Sequence, residues 1–436
     1  MPCVKSPSPE SLLLILLQIM NARKQLSTAI KRTSPLYEIY LLHQLEAIVS
    51  KGDAHGTDNS RVADVELAAQ EIAQLLPPLA IFASENPSVV QHDREIEGLF
   101  NLQRDAWFNI VVHGFSLATP LGQQYFQELR LLACHSQPLV AEDRADRTES
   151  DIELNTVLRR GKSTEHAADQ RKHLLKSLPS CEAEIKSLNY PEAVFLSAAY
   201  LVECLRAVSG DCTKVLQYFL DPRLRSGDMG RCMASIASVV VNTYVSRTLA
   251  GDLQVFSAPY AAQQLAKLFT GCCHRIGRVQ QVATACVDLI VEQVPSALCY
   301  QSSLFALLEL LNIMWASCLE KETDEYVWKS NYTSSIGNIS IELSDDYNFR
   351  RVTLVAFYKQ SRRWVTRVLD VAPLDIKSLL QVCNISTTCC AANGCQTYLS
   401  EYSEGGFYGH VALGRSFALE MGSMIPSTDQ RLGTPR

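Results

Sequence analysis

The chain is poor in the features that announce chemistry, nucleic-acid binding or a membrane. Its 436 residues carry a formal net charge of −6, so it lacks the basic surplus of a general nucleic-acid surface. Alternating β-branched runs are nearly absent, and the one strand-like stretch is GNISIEL at 337–343, which leaves little material for a sheet. The apolar run Leu12 to Met20 is shorter than the about 20 residues needed to span a bilayer. Lys5 precedes it as in a secretory leader, but Pro7, Pro9 and Glu10 intervene and no small-residue cleavage site follows. We read it as a buried helix, and expect no transmembrane segment and a cytosolic chain. The sequons Asn331-Tyr-Thr and Asn338-Ile-Ser are then without consequence.

The 15 cysteines are an odd number, and Cys204, Cys232, Cys286 and Cys318 lie inside apolar helical patterns. A chain this long can bury a core without staples, so these residues read as small apolar side chains rather than as a disulfide framework.

What the chain does have is helical periodicity. Phe269 to Leu319 reads as two helices joined at Pro295, which has no amide hydrogen to donate and crowds the preceding turn. In the first, Ile276, Val279, Val282, Ala283, Cys286, Leu289 and Ile290 recur at three- and four-residue steps. In the second, Leu304 to Trp315 leaves only Glu309 and Asn312 polar. A helix apolar on nearly every side must be covered on nearly every side.

Similar patterns fill the rest. Tyr37, Ile39, Tyr40, Leu42, Leu45 and Ile48 form one face, and Val65, Leu67, Ala68, Ile72 and Leu75 form the next, with a loop at 51–60 between them. Trp107 to Phe115 is apolar and stops at Gly114. Val194, Ala198, Leu201, Leu205 and Val208 make a further face; Ser209 to Asp211 is a turn and Asp221-Pro222 a stop. Met233, Ile236, Val240, Tyr244 and Leu249 follow, Pro259 opens a helix with Leu265, Leu268 and Phe269, and a later one carries Phe349, Leu354, Phe357 and Trp364. Residues 141–176 differ: 16 of the 36 are charged, which suggests a solvated loop or linker. The expected division is a helical block at 1–140, the linker at 141–176 and a second block at 177–436. A helix pair about every 40 residues is the spacing of HEAT or armadillo arrays, although no residue-level consensus repeats. The fold expected is all-α, an irregular solenoid.

None of the possible chemical motifs is complete. Gly161-Lys162-Ser163-Thr164 resembles the end of a phosphate loop, but the leading glycine position is Thr156. Cys134-His135 and Cys272-Cys273-His274 each lack a second ligand pair. His113 has no triad partners in its pattern and reads as a core or helix-end histidine. Ser344-Asp345-Asp346 could bind a metal, but fits a helix cap better, because these side chains accept from free amides and favour the dipole. We assign no catalytic, cofactor-binding or metal residues.

Several stretches nevertheless have a distinctive wording: DAWFNIVVHG (105–114), SGDCTKVLQYFLDP (209–222), FTGCCHRIGRVQQVA (269–283), VPSALCYQSSLFALLELLNIMWASCLEKETDEYVWKS (294–330), IELSDDYNFRR (341–351) and GRSFALEMGSMIPSTDQRLG (414–433). From about residue 100 onward the chain resembles the type III alpha phosphatidylinositol 4-kinases in their fungal form. The resemblance implies a place in the helical solenoid upstream of the kinase domain. It further implies a full-length enzyme that uses ATP and Mg to phosphorylate the 4-position of phosphatidylinositol at the plasma membrane. The partners it implies are the rest of the kinase chain, a tetratricopeptide-type scaffold subunit and a membrane-anchoring subunit. Asp-Arg-His and Asp-Phe-Gly, which such a kinase needs for phosphoryl transfer, occur nowhere in these residues. The expectation is a non-catalytic scaffold segment, or a truncated gene model, of a lipid kinase. The alternative is a free-standing helical-repeat adaptor without activity.

Val382 to Gln396 departs from the family. It interrupts an apparent helix and holds Cys383, Cys389, Cys390 and Cys395, whose spacing matches no standard zinc knuckle. Val382 can begin with the donor dinucleotide GT, Ala392-Asn393 can encode the branch-point-like GCTAAC, and Gln396 can end in CAG. These 15 codons keep the frame. Our hypothesis is a translated, unspliced intron; sequencing of the mature transcript should find those codons missing, and their retention there refutes it.

Overall fold

The computed structural model describes residues 9–54, 62–86, 98–150, 152, 164–251, 254–323, 330–334, 339–380 and 412–423. The segment 382–396, and with it the insertion hypothesis, lies outside them. The fold is all-α and solenoid-like, with one two-stranded sheet among the described residues. Two compact units divide the chain, residues 1–209 with 217–236, and residues 210–216 with 237–436.

The first unit holds α1 (Pro9–Ala29), α2 (Tyr37–Ala54), α3 (Val62–Glu85), α4 (Leu99–Val112), α5 (Pro120–Gln124), α6 (Phe126–His135), α7 (Thr164–Ser177), α8 (Glu182–Ser187) and α9 (Tyr190–Ala207). Successive helices pack on near neighbours: α1 and α2 on α3, α2 on α4, α3 on α6, and α4, α6 and α7 on α9. This nearest-neighbour stacking is what makes a solenoid stable. Leu12 to Met20 is helical as expected, although Leu17 and Ile19 remain half exposed.

The unit boundary does not coincide with the charged stretch. Glu142–Asp146 is a 3-10 turn and Thr164–Ser177 is α7, where the sequence reading placed a loop or linker. One apolar strip suffices to dock a helix, and Leu174, fully buried where α7 meets α9, supplies it. Helix α3 also runs past the expected end at Leu76, through Pro77 and Pro78, to Glu85. Interior prolines oppose a helix by about 3 kcal/mol each. Here Leu79, Ala80 and Phe82 beyond them are buried, with the Phe82 ring against Tyr37 and Tyr40 of α2, and that burial offsets the cost. In α2 Tyr37, Tyr40, Leu45 and Ile48 of the expected face are buried, whereas Ile39 is exposed and Leu41, outside that face, is buried.

Helix α9 starts with a full capping box. Asn189 Oδ1 accepts from the Glu192 amide at 2.9 Å, and Glu192 Oε2 accepts from the Asn189 amide at 3.0 Å. It is buried almost all round, including Ala193, Phe195, Leu196, Val202 and Cys204 outside the expected face.

The second unit is built around α11 (Ala258–Cys272), α12 (Gly277–Gln293) and α13 (Gln301–Thr323), with β1 (Asn331–Ser334), β2 (Ile339–Glu342), α14 (Tyr347–Val371) and α15 (Ala412–Ser423). Helix α10 (Gly227–Ala250) leads into it; its Tyr244 is buried as expected, whereas Leu249 is exposed. Phe269 lies in α11, the helix that Pro259 opens, as expected. Pro295 does end α12: Val294 before it leaves the helical region, as proline forces, and a 3-10 turn spans Pro295–Leu298. The face of α12 is buried at Val279, Val282, Ala283, Cys286 and Ile290, and also at Val287 and Val291.

Helix α13 is covered as its composition demands. It packs against α11, α14 and α15, and Leu304, Leu307, Leu308, Leu310, Leu311 and Met314 are buried. Residues Gln301–Leu319 are long and apolar enough to cross a membrane, and 67% of that window is buried inside the protein. Both polar residues of the run have partners. Glu309 accepts from Ser334 Oγ of β1 at 2.7 Å, and Asn312 Oδ1 from the Gly414 amide of α15 at 2.9 Å. A side chain at Gly414 would meet the Leu308 carbonyl at 2.7 Å, so only glycine lets α15 lie this close. The GNISIEL strand is present as β2, antiparallel to β1 with Tyr332 opposite Ile341.

Leu308→Asp places an unpaired charge in this interface. Truncating a core leucine alone costs about 2–5 kcal/mol; the charged variant should lose at least that in urea unfolding, and an unchanged midpoint would show that α13 is not interior.

Candidate interaction surface

The residues singled out in the sequence are spent on structure. Gly161 to Ser163 lie outside the described residues, and Thr164 opens α7. Buried His113 follows α4, and its Nε2 lies 3.2 Å from the carbonyl of Gly52 in the last turn of α2. It is a core, helix-end histidine. Gly114 next to it takes φ 87° and its amide donates to Val111 at 3.0 Å, which closes the helix where the sequence placed its end. At 344–346 the cap reading holds, with Asp346 rather than Ser344 as the capping residue. Asp346 Oδ1 accepts from Asn348 and Phe349 at 2.8 and 3.3 Å, while Ser344 Oγ accepts from the Asp346 amide.

Cys134 and His135 end α6, and Cys272, Cys273 and His274 end α11. Among the described residues no group of three or more histidine, cysteine, aspartate or glutamate side chains could hold a metal ion. His274 Nδ1 accepts from the Ile276 amide at 3.1 Å, and Thr284 Oγ1 donates to Cys272 Sγ at 3.7 Å. Burial pushes the thiols of Cys204, Cys272 and Cys286 up to about 12, and those of Cys212 and Cys273 also well above the usual value. A thiol that stays protonated is neither a nucleophile nor a metal ligand.

Two concave features stand out among the described residues. In the first unit a crevice of about 50 Å³ lies between α2, α3, α4 and α6, lined by Tyr37, Leu41, Phe82, Trp107 and Ile110. In the second, an open groove of about 920 Å³ runs between α12 and α14. Its walls pair with each other. Asp288 accepts from Trp364 Nε1 at 2.6 Å and from Arg363, and Glu292 accepts from Arg367 at 3.0 Å. His135 and Ser136 line the crevice, but Ser136 Oγ donates to the Leu132 carbonyl at 2.6 Å and accepts from Trp107 Nε1 at 3.3 Å, and the groove is lined by no serine, cysteine or histidine. The groove can present charge and shape to another molecule.

No protein-family model matches the chain. Curated relatives do. It is 29% identical over 404 residues to phosphatidylinositol 4-kinase STT4 of Saccharomyces cerevisiae, which covers 92% of this chain and 20% of that protein. It is 32% identical over 329 residues to phosphatidylinositol 4-kinase stt4 of Schizosaccharomyces pombe, 76% of this chain and 16% of that one. The chain is homologous to a segment of the yeast phosphatidylinositol 4-kinases. It spans a fifth or less of the length of these relatives. The similarity to the kinases also reaches further than the expected start near residue 100, since 92% of the chain is matched.

The thiol environment is open to test. Alkylation at pH 8 followed by peptide mass spectrometry should leave Cys204, Cys272 and Cys286 unmodified in the folded chain and label them after denaturation. Labelling of folded Cys286 at the rate of a free thiol would contradict its burial.

Proposed function

We propose that the chain is a non-catalytic helical scaffold segment of a 1-phosphatidylinositol 4-kinase. The observation that carries this reading is similarity to such kinases over 92% of the chain, joined to a helical fold whose polar side chains serve caps and ion pairs. In the whole enzyme, ATP-dependent phosphorylation of phosphatidylinositol to its 4-phosphate would fall to residues other than these. The residues here do not fit ATP or Mg. The phosphate-loop position is Thr156 rather than glycine, Asp-Arg-His and Asp-Phe-Gly are absent, and no metal cluster exists among the described residues. We derive no catalytic step for them.

In this reading the segment stacks with the rest of the kinase chain and offers helical faces to a tetratricopeptide-type scaffold subunit and a plasma-membrane anchoring subunit. The location that follows is cytoplasmic, with peripheral recruitment to the plasma membrane in the assembled complex. Support comes from the solenoid-like stacking, which leaves long faces free for proteins.

The purified chain, given ATP, Mg and phosphatidylinositol vesicles, should produce 4-phosphate at the level of a protein-free blank. Turnover above that blank overturns the reading. The genomic sequence after the Arg436 codon supplies a second readout: an open frame with Asp-Arg-His and Asp-Phe-Gly supports the kinase scaffold, and a stop with no kinase locus supports a free-standing adaptor.

A further inference from the structure

Two cysteines face each other in the first unit. Cys181 ends a 3-10 turn, Pro179–Cys181, that leads from α7 into α8, and Cys232 lies in the second turn of α10. Hydrogen bonds on both sides of them hold the two segments together. Ser180 Oγ lies 3.2 Å from Ser235 Oγ, and Arg231 Nε donates to Glu184 Oε1 at 2.9 Å. Ser187 Oγ also donates to Asp228. Residues 180 and 184 thus bracket Cys181, residues 231 and 235 bracket Cys232, and the two thiols share a side-chain hydrogen bond. Both cysteines are reduced and buried, at 6% and 0% exposure. Pro179, Ser180 and Glu182 beside Cys181 are exposed.

We propose that Cys181 and Cys232 form a reversible disulfide under hydroperoxide, which ties the α7–α8 turn to the start of α10. Thiols already in contact need little backbone movement to bridge. Cys181 is the entry point, because the exposed turn brings the oxidant to it. Burial pushes the Cys232 thiol up to about 12, so it does not attack first. In the first step Cys181 Sγ attacks one oxygen of hydrogen peroxide and the O–O bond breaks. The thiol proton leaves with the other oxygen as water, and Cys181 becomes a sulfenic acid. In the second step Cys232 Sγ attacks that sulfur and the S–O bond breaks. The Cys232 proton leaves with the hydroxyl group as a second water. The two sulfurs give up two electrons, and one peroxide is reduced to two waters. The bridge closes a loop that contains α9, and so restricts the unfolded chain. This chemistry holds with or without a kinase domain attached.

Hydrogen peroxide given to the folded, purified chain, followed by peptide mass spectrometry without reductant, tests the pair. The expected product is a linked pair of peptides carrying Cys181 and Cys232, two hydrogens lighter than the separate thiols and parted by dithiothreitol. The oxidised chain should unfold at a higher urea midpoint than the reduced one. Cys232→Ser, with its circular dichroism unchanged, should halt the oxidation at Cys181, where dimedone traps the sulfenic acid. Three results would each overturn the proposal: no linked pair in the folded chain, a pair that forms only after denaturation, or a Cys181 in the Cys232→Ser variant that peroxide leaves as a thiol.

Discussion

A helix that ends inside a stack has carbonyls that water cannot reach, and each must find a donor. In this protein those donors come from neighbouring elements. Arg206, buried in α9, donates through Nε to the carbonyl of Ala133 and through Nη2 to that of Ser136, both at 2.8 Å, where α6 ends. Its remaining charge is met by buried Glu203. Asn86, just past α3, donates to the Ile30 carbonyl after α1 at 3.0 Å. His113 meets the last turn of α2. In the second unit Arg350 of α14 ties other carbonyls instead, that of Ser344 in the turn before its own helix and that of Ser317 within α13, at 2.7 and 3.2 Å. A buried arginine is costly unless its donors are satisfied; here they satisfy groups that would otherwise be just as costly. The stack can end its helices in the interior because these side chains reach across.

The same demand accounts for the buried ionisable groups. Glu203, Arg206, His113 and Arg350 are buried ionisable groups, the kind that often marks chemistry. Each is bound to structure, and none faces a cavity with a second reactive group beside it. The cysteines follow the same logic: burial holds the thiols of Cys204, Cys272 and Cys286 protonated.

Much of this was legible beforehand wherever a residue's own geometry forced the outcome. Pro295 and Gly114 end helices because of what their backbones can and cannot do, and Leu304 to Trp315 could not be soluble on any side. The reading failed where a distant partner decided. Helix α3 continues through Pro77-Pro78 because Phe82 has the rings of Tyr37 and Tyr40 to reach. Helix α7 forms within a charged stretch because α9 accepts Leu174. The exposure of Ile39 and Leu249 also depends on neighbours that periodicity does not describe. The groove between α12 and α14 was missed entirely, since Asp288 and Arg363 are 75 residues apart and carry no local pattern.

By itself the sequence determined the class and the kinship of this protein. The three- and four-residue apolar steps specify helices, the near absence of alternation rules out a large sheet, and the wording of 294–330 and 414–433 points to one kinase family. Those properties are local, written in nearest neighbours along the chain. Tertiary structure alone decided which helix is central in the first unit, which arginines are buried as clamps, and which face of α14 stays uncovered. Burial and pairing are properties of residues brought together from far apart, and a side chain's environment exists only once its neighbours have arrived.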